Sequence, residues 1–182
     1  MEPVEINAGE YYLRQLRADD RIDDTAALVA AFADPEIRRW QGGLLVDDEA
    51  AARKYVEFRA WQWESDQRYS WAVCDQLLGN PVGEVALKDV DPHNRSAELV
   101  LWTAAEHRGR GIAVHAATAV VGFGFGFVEL HRISYRQAVD NVSSQRVAEK
   151  AGFTPEGRLR GAQMVQGEHH DLRVWSRLVT DR

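Results

Sequence analysis

The residues best suited to chemistry sit together in one short segment, Arg108-Gly109-Arg110-Gly111-Ile112-Ala113. Small residues there let successive backbone N–H groups turn toward one anion, and the two arginines supply charge that pairs bidentately with phosphate oxygens. If a helix starts at this point, its free N-terminal amides and dipole add to the same site. The pattern suits a pyrophosphate-binding loop, with an ordinary glycine-rich turn as the alternative. It is not a nucleoside-triphosphate loop, because the lysine and hydroxyl of that motif are missing. A second polar cluster follows at Asn141, Ser143 and Ser144. Asn141 suits a cap or turn, and Ser144 a first-turn helix position.

Those segments need elements to hold them. Residues 11–16 read as a first strand. Ala18-Asp19-Asp20 supplies helix-start chemistry for the apolar positions Ile22, Leu28, Val29 and Phe32, and Asp34-Pro35 ends that helix. Asp47-Asp48-Glu49 opens a second helix reaching about Trp63, its acidic first turn matching the dipole. Strands are expected at 69–74 and 82–88, separated by the turn Gly79-Asn80-Pro81, and at 97–103. The loop then starts a helix to about Val128. A strand at 132–139, a helix at 143–151 stopped by Gly152, and two terminal strands near 154–163 and 168–178 complete a mixed sheet with helices on its faces. The run 122–127, Gly-Phe repeated three times, has a strand-like period of two. Three glycines would each cost a helix interior about 1 kcal/mol. Helix is still expected, because no turn separates the run from 113–121, with Phe123 and Phe127 toward the sheet.

Composition narrows the function. At 182 residues, 45% hydrophobic and 27% charged, the chain reads as one globular domain over 1–182. Its apolar runs are too short to span a bilayer, and its start lacks signal-peptide character, so a cytoplasmic protein is expected. A net charge of −6 speaks against nucleic-acid binding while leaving room for a local basic pocket. The single cysteine, Cys74, lies in an apolar strand and reads as an inert core thiol. His169 and His170 are adjacent on a strand and point to opposite faces, so no metal site is expected. His107 and His115 flank the loop as surface residues. Trp40, Trp61 and Trp63 either fill the core beneath the first helices or line an acceptor pocket.

The two motifs resemble those of the GCN5-related N-acetyltransferases. The acyl-CoA loop of that family, Arg/Gln-x-x-Gly-x-Gly/Ala, is matched by Arg108, Gly111 and Ala113. The stretch from Asp140 through Phe153, with Glu156-Gly157, is similar to the Asn-x-x-Ser…Lys-x-Gly-Phe-x-x-Glu-Gly signature of its RimJ/RimL-like branch, which acetylates ribosomal-protein N-termini. Gly167-Glu168-His169-His170-Asp171 also resembles that branch. The likeness is specific over about 83–178 and general before it. It implies the acyl-CoA N-acyltransferase fold, an α/β (α+β) domain. Its mostly antiparallel sheet has about seven strands, a splayed central pair and about four helices.

The resemblance also implies roles. Val100, Leu101, Trp102 and Thr103 would pair with the pantetheine arm, and the amides of Arg108, Gly109, Arg110, Gly111, Ile112, Ala113 and Val114 would hold the pyrophosphate. Asn141 would bond the pantetheine or the acceptor region, and Ser144 would protonate the departing thiolate. The attacking amine must lose a proton, and Glu98 and Glu84 on neighbouring strands are the candidate bases. A glutamate serves as base in the branch ten residues after the Gly-Phe motif; here Gln163 stands there and cannot take a proton. The implied reaction is acetyl transfer from acetyl-CoA, or another acyl-CoA, by direct attack in a ternary complex and without a metal. The acceptor would be a peptide or protein α-amine, an aminoacyl nucleotide or a small amine. The chain would act as a monomer or homodimer without nucleic-acid or membrane partners. A CoA-binding module without turnover is the alternative, and binding of another nucleotide at 108–113 is a third reading.

Overall fold

The computed structural model describes residues 1–41, 45–77 and 79–181. Eight strands form one sheet in the order β1-β2-β3-β4-β5-β6-β8-β7. A short edge strand β1 (Ile6–Ala8), absent from the sequence expectation, precedes β2 (Tyr11–Arg14). Helices α1 (Thr25–Phe32), α2 (Pro35–Trp40) and α3 (Glu49–Glu64) follow, then the antiparallel ribbon β3 (Arg68–Asp75), β4 (Pro81–Asp91) and β5 (Ser96–Thr103). A single 3-10 turn, Ala105–His107, leads to α4 (Ile112–Gly126), β6 (Arg132–Ala138), α5 (Val142–Lys150) and the hairpin of β7 (Thr154–Val165) and β8 (Glu168–Leu178).

Asp34-Pro35 does more than end a helix. The Asp34 side chain accepts from the Glu36 N–H, proline takes the first helical position, and α2 begins at once. Thus one dipeptide stops α1 and starts α2, which a stop signal alone does not predict. A buried, bidentate ion pair between Arg14 and Asp24, with N···O distances of 2.7 and 2.8 Å, fixes the approach to α1.

Alternation along the strands sorts the core into two layers. Leu13, Trp71, Val85, Leu87, Leu99 and Ile133 face α4, while Ala72, Cys74 and Trp102 face Leu28, Phe32, Tyr55 and Val56 of α1 and α3. The glycine-rich run 122–127 is helical up to Gly126. A Cβ on Gly124 would come within 2.8 Å of Ile133 Cδ1, so glycine lets the helix lie close on the sheet. Phe123 packs edge-on against Trp71 as expected, whereas Phe127 is exposed and only stacks on Phe123. Helix geometry explains this: Phe127 caps the last turn, past the sheet it was expected to cover.

β5 and β6 are parallel and share only four residue pairs, from Ser96↔Arg132 to Leu99↔Tyr135. Beyond them β5 stays on β4, with Gly83 opposite Thr103, and β6 stays on β8 as far as Ala138 opposite Leu172. The two strands therefore part like the arms of a V. At Gly83 a Cβ would lie 2.5 Å from the Trp102 carbonyl oxygen, so only glycine permits β5 to run over β4 there.

Gly83→Ala should therefore cost about 1–3 kcal/mol through backbone overpacking. In a chain of this length that is a fall of roughly 2–4 °C in Tm per kcal/mol. Unchanged thermal unfolding would show that the close approach imposes no constraint.

Candidate active site

The V opens at the carboxyl ends of two parallel strands, the usual place for a ligand crevice in sheets with crossover helices. Both following helices start there. At the first, Gly109 and Gly111 have φ of 79° and 80°, values that L side chains rarely adopt. Their left-handed turns bring the loop amides to the head of α4. No side chain caps α4 and no acidic residue lies in its first turn, so the free N–H groups and the dipole remain available to an anion. Arg110 reaches only the Glu106 carbonyl, at 3.2 Å, and stays exposed. Arg108 is ion-paired with Asp34 and donates from Nε to the Thr103 carbonyl at 3.1 Å. It braces the loop against α2 as well as adding charge.

At the second helix Asn141 is the N-cap, accepting from the Ser144 N–H at 3.1 Å and from the Ser143 hydroxyl at 2.8 Å. Its oxygen is occupied by the cap, which leaves the amide nitrogen as its donor toward the cleft it lines. Ser144 Oγ is hydrogen-bonded to the Tyr135 hydroxyl. Tyr135 is buried, and burial pushes its phenol up to about 12, so it stays protonated. Sequence reasoning missed Tyr135. It reads as a core aromatic of β6, and only the return of α5 over that strand brings it to Ser144.

A cavity of about 430 Å³ opens at the V beside the head of α5, on the side where Trp40 and Arg59 approach the sheet. Glu98, Val100, Leu101, Asn141 and Ser144 line it together, along with Gln163 from β7. Glu98 is paired with Arg136 through one oxygen and with Lys88, at 3.5 Å, through the other. Glu84 lies elsewhere: 1% exposed, it is enclosed behind this wall. It accepts from the Tyr55 hydroxyl at 2.5 Å and Trp102 Nε1 at 3.2 Å, and pairs with Arg68 at 3.2 Å and Arg59 at 3.5 Å. The Tyr55 phenol is held well above its ordinary range by burial and by the Glu84 charge. Glu84 therefore ties α3 to the sheet; the two glutamates that the sequence could not tell apart occupy different environments.

The three tryptophans have three different surroundings. Trp63 is wholly buried, Trp61 is exposed and stacked on Phe58, and Trp40 lines the cavity with Arg39 over its ring and His170 against its edge. His169 points outward and donates from Nδ1 to the Gly161 carbonyl, 3.1 Å away. Cys74 is buried, which pushes its thiol up to about 11 and keeps it unreactive. Among the described residues no helix is long and apolar enough to cross a membrane, and no group of three potential ligands gathers for a metal. A larger cavity, about 620 Å³, lies beside β2, remote from both helix N-termini; its central charges, Arg14 and Asp24, are spent on each other.

The family model for the acetyltransferase (GNAT) domain matches residues 11–154. Over 100 residues the chain is 38% identical to YdaF of Bacillus subtilis (strain 168), which bears the name of a ribosomal N-acetyltransferase. Over 101 residues it is 31% identical to a spermidine N(1)-acetyltransferase of Vibrio cholerae. These alignments cover 55% and 56% of the chain and 55% and 58% of the relatives, so the chain spans little more than half the length of either. The solved structure of RimL, a ribosomal L7/L12 α-N-protein acetyltransferase in complex with coenzyme A, has the same fold. Its TM-score is 0.85 at 20% identity, over 98% of this chain and all of that one.

Gln137 lines the cavity, is 4% exposed, and finds no partner for either side-chain amide atom among the described residues. An unpaired buried amide costs about 1–3 kcal/mol, and replacement by an apolar group of the same shape relieves it. Gln137→Met should therefore hold or raise Tm, by roughly 2–4 °C per kcal/mol recovered. A clear drop would show that the amide is paired in solution.

Proposed function

This chain belongs to the GNAT acetyltransferase family, and on that premise we propose that it transfers an acetyl group from acetyl-CoA to the α-amine of a peptide or protein. The observation that carries this reading is the meeting of three features at one crevice. They are the uncapped, glycine-turned head of α4, the unpaired edges of β5 and β6, and the Ser144–Tyr135 pair at the head of α5. A pyrophosphate fits the first, because the free N–H groups of Gly111, Ile112 and Ala113 converge at a helix terminus with Arg110 beside them. An extended amide-bearing arm fits the second, since Val100, Leu101, Trp102 and Thr103 have no β6 partner and only the Leu101 and Thr103 carbonyls meet side chains there, of Gln41 and Arg108. That edge gives a strand-like ligand main-chain hydrogen bonds.

The chemistry then falls to few groups. A neutral amine nitrogen attacks the thioester carbonyl carbon, a C–N bond forms, and the C–S bond breaks as the tetrahedral centre collapses. Backbone N–H donors along the open β5 edge stabilise the developing oxyanion. The leaving thiolate takes the Ser144 hydroxyl proton, the Tyr135 phenol, kept protonated by burial, holds that hydroxyl through their hydrogen bond, and the proton given up by the amine to water restores Ser144. The amine proton leaves through water toward Glu98, the carboxylate that lines the cavity. Peptide α-amines titrate near 8, so a substantial neutral fraction exists without a strong base. This accounts for an active site in which Gln163 occupies the position of the branch's glutamate. Cys74 is buried away from the cavity lining, so transfer goes directly from donor to acceptor.

Thiol release from acetyl-CoA, measured against peptides with free and blocked N-termini, tests the reading. Release should require the free amine. Ser144→Ala and Tyr135→Phe should each lower kcat about 10–100-fold, with KM for acetyl-CoA little changed. Glu98→Gln should lower kcat/KM most at low pH, where the amine is charged. Amine-independent release, or full activity in both hydroxyl variants, would contradict it.

A further inference from the structure

The acceptor side of the cavity has a charge pattern that its fold does not require. Arg68, Lys88 and Glu98 sit directly opposite one another across β3, β4 and β5, and Arg136 joins Glu98 from β6. All four therefore share one sheet face, with Arg59 of α3 above them. That is the face covered by α1 and α3, opposite to the one on which α4 packs. These cations are thus separated by the sheet from the loop that cradles phosphate, and the donor's pyrophosphate does not account for them.

Their charge is only partly compensated. Arg59 and Arg68 share Glu84, and Arg136 and Lys88 share Glu98, which leaves a surplus of two positive charges against these partners. Asp89 pairs with Lys88 from the exposed rim at 3.2 Å, which still leaves one positive charge in excess, and Asp140 is occupied with Arg39 and His170. Arg68 and Lys88 are a like-charge pair facing each other across a ladder, an arrangement that costs stability. Burial lowers the proton affinity of Arg68, although Glu84 acts in the opposite direction. Arg68 Nη1 and Arg136 Nη1 have no partner among the described residues. In a chain whose net charge is −6, this is a local, partly desolvated cationic wall with donors to spare.

We propose that the acceptor of this site carries an anionic group, a carboxylate or phosphate, close to its reactive amine, and that Arg68, Lys88 and Arg136 hold it. The inference rests on the acetyl-transfer reading and narrows it. The amine lies toward Glu98 and the thioester, and the anion lies outward along the wall. A polycation such as spermidine meets like charge at the same place and is disfavoured. Acidic residues next to a peptide N-terminus, or the phosphate of an aminoacyl nucleotide, present the required chemistry.

The test compares acceptors in the intact protein: matched peptides beginning Ser-Asp-Glu, Ser-Asn-Gln and Ser-Lys-Arg, spermidine, and a seryl-sulfamoyl adenosine as the phosphate analogue. At low salt kcat/KM for the acidic peptide or the adenylate analogue should exceed that for the neutral peptide at least tenfold, with the basic peptide and spermidine last. The winner of those two assigns the anion as carboxylate or phosphate. The advantage should shrink in 0.5 M salt, by about the screening of partly exposed charges. Lys88→Gln and Arg136→Gln should shrink the acidic-to-neutral ratio, a quantity that loss of folded protein leaves unchanged. Calorimetric binding of the same peptides to the CoA-bound protein reads the preference without turnover. Acid-selective binding with no turnover would overturn the acetyl-transfer reading alone. Equal use of neutral and acidic acceptors, or preference for spermidine, would overturn this proposal while leaving acetyl transfer in place.

Discussion

Everything at the crevice depends on two parallel strands that pair for four residues and then separate. A sheet ordinarily closes such a gap, because unpaired backbone groups are costly to bury. Here β5 is held to β4 through Ala104, whose N–H donates to the Val82 carbonyl at 3.0 Å, and β6 is held to β8 along its whole length. Each strand is satisfied on its outer side, so neither can move to meet the other. The inner edges stay open as a pair of hydrogen-bonding rails. α4 and α5 leave from the ends of these strands, and their N-termini come to the mouth of the gap without further design.

Charge is distributed around this gap with equal economy. The anion-seeking elements on the α4 face are backbone: amides turned by two glycines, helped by a dipole. Those on the opposite face are side chains, anchored on carboxylates that orient them. Glu84 is the anchor for Arg59 and Arg68, and through Tyr55 and Trp102 it also locks α3 and the end of β5. A fully buried carboxylate with this many donors is stable only as a complete network, so loss of one partner is expected to cost more than its own contacts. The opening and its electrostatics are coupled through Trp102, which both bonds Glu84 and carries the carbonyl that Gly83 must admit.

Much of this was legible in the chain. The glycine-arginine segment marked a turn into a helix head from residue chemistry alone, and the Asn141–Phe153 block placed α5. Periodicity located every strand except β1, three residues too few for a pattern to form. Asp34-Pro35 was half read, since one dipeptide carried a stop and a start. Local sequence could not report side-chain partners fixed by distant pairing. Tyr135 meets Ser144 because α5 folds back on β6, Arg108 meets Asp34 across 74 residues, and the cations of three strands align only in register. Glu84 and Glu98 look alike in sequence, and only burial separates the anchor from the cavity carboxylate.

The most direct measurement is amide hydrogen exchange in the free protein and with saturating acetyl-CoA. The account predicts slowed exchange at 109–114 and on the open edge of β5 at 100–103, with the outer ladders unchanged. Exchange that acetyl-CoA leaves unaltered in both segments, or slows only beside β2, would contradict it.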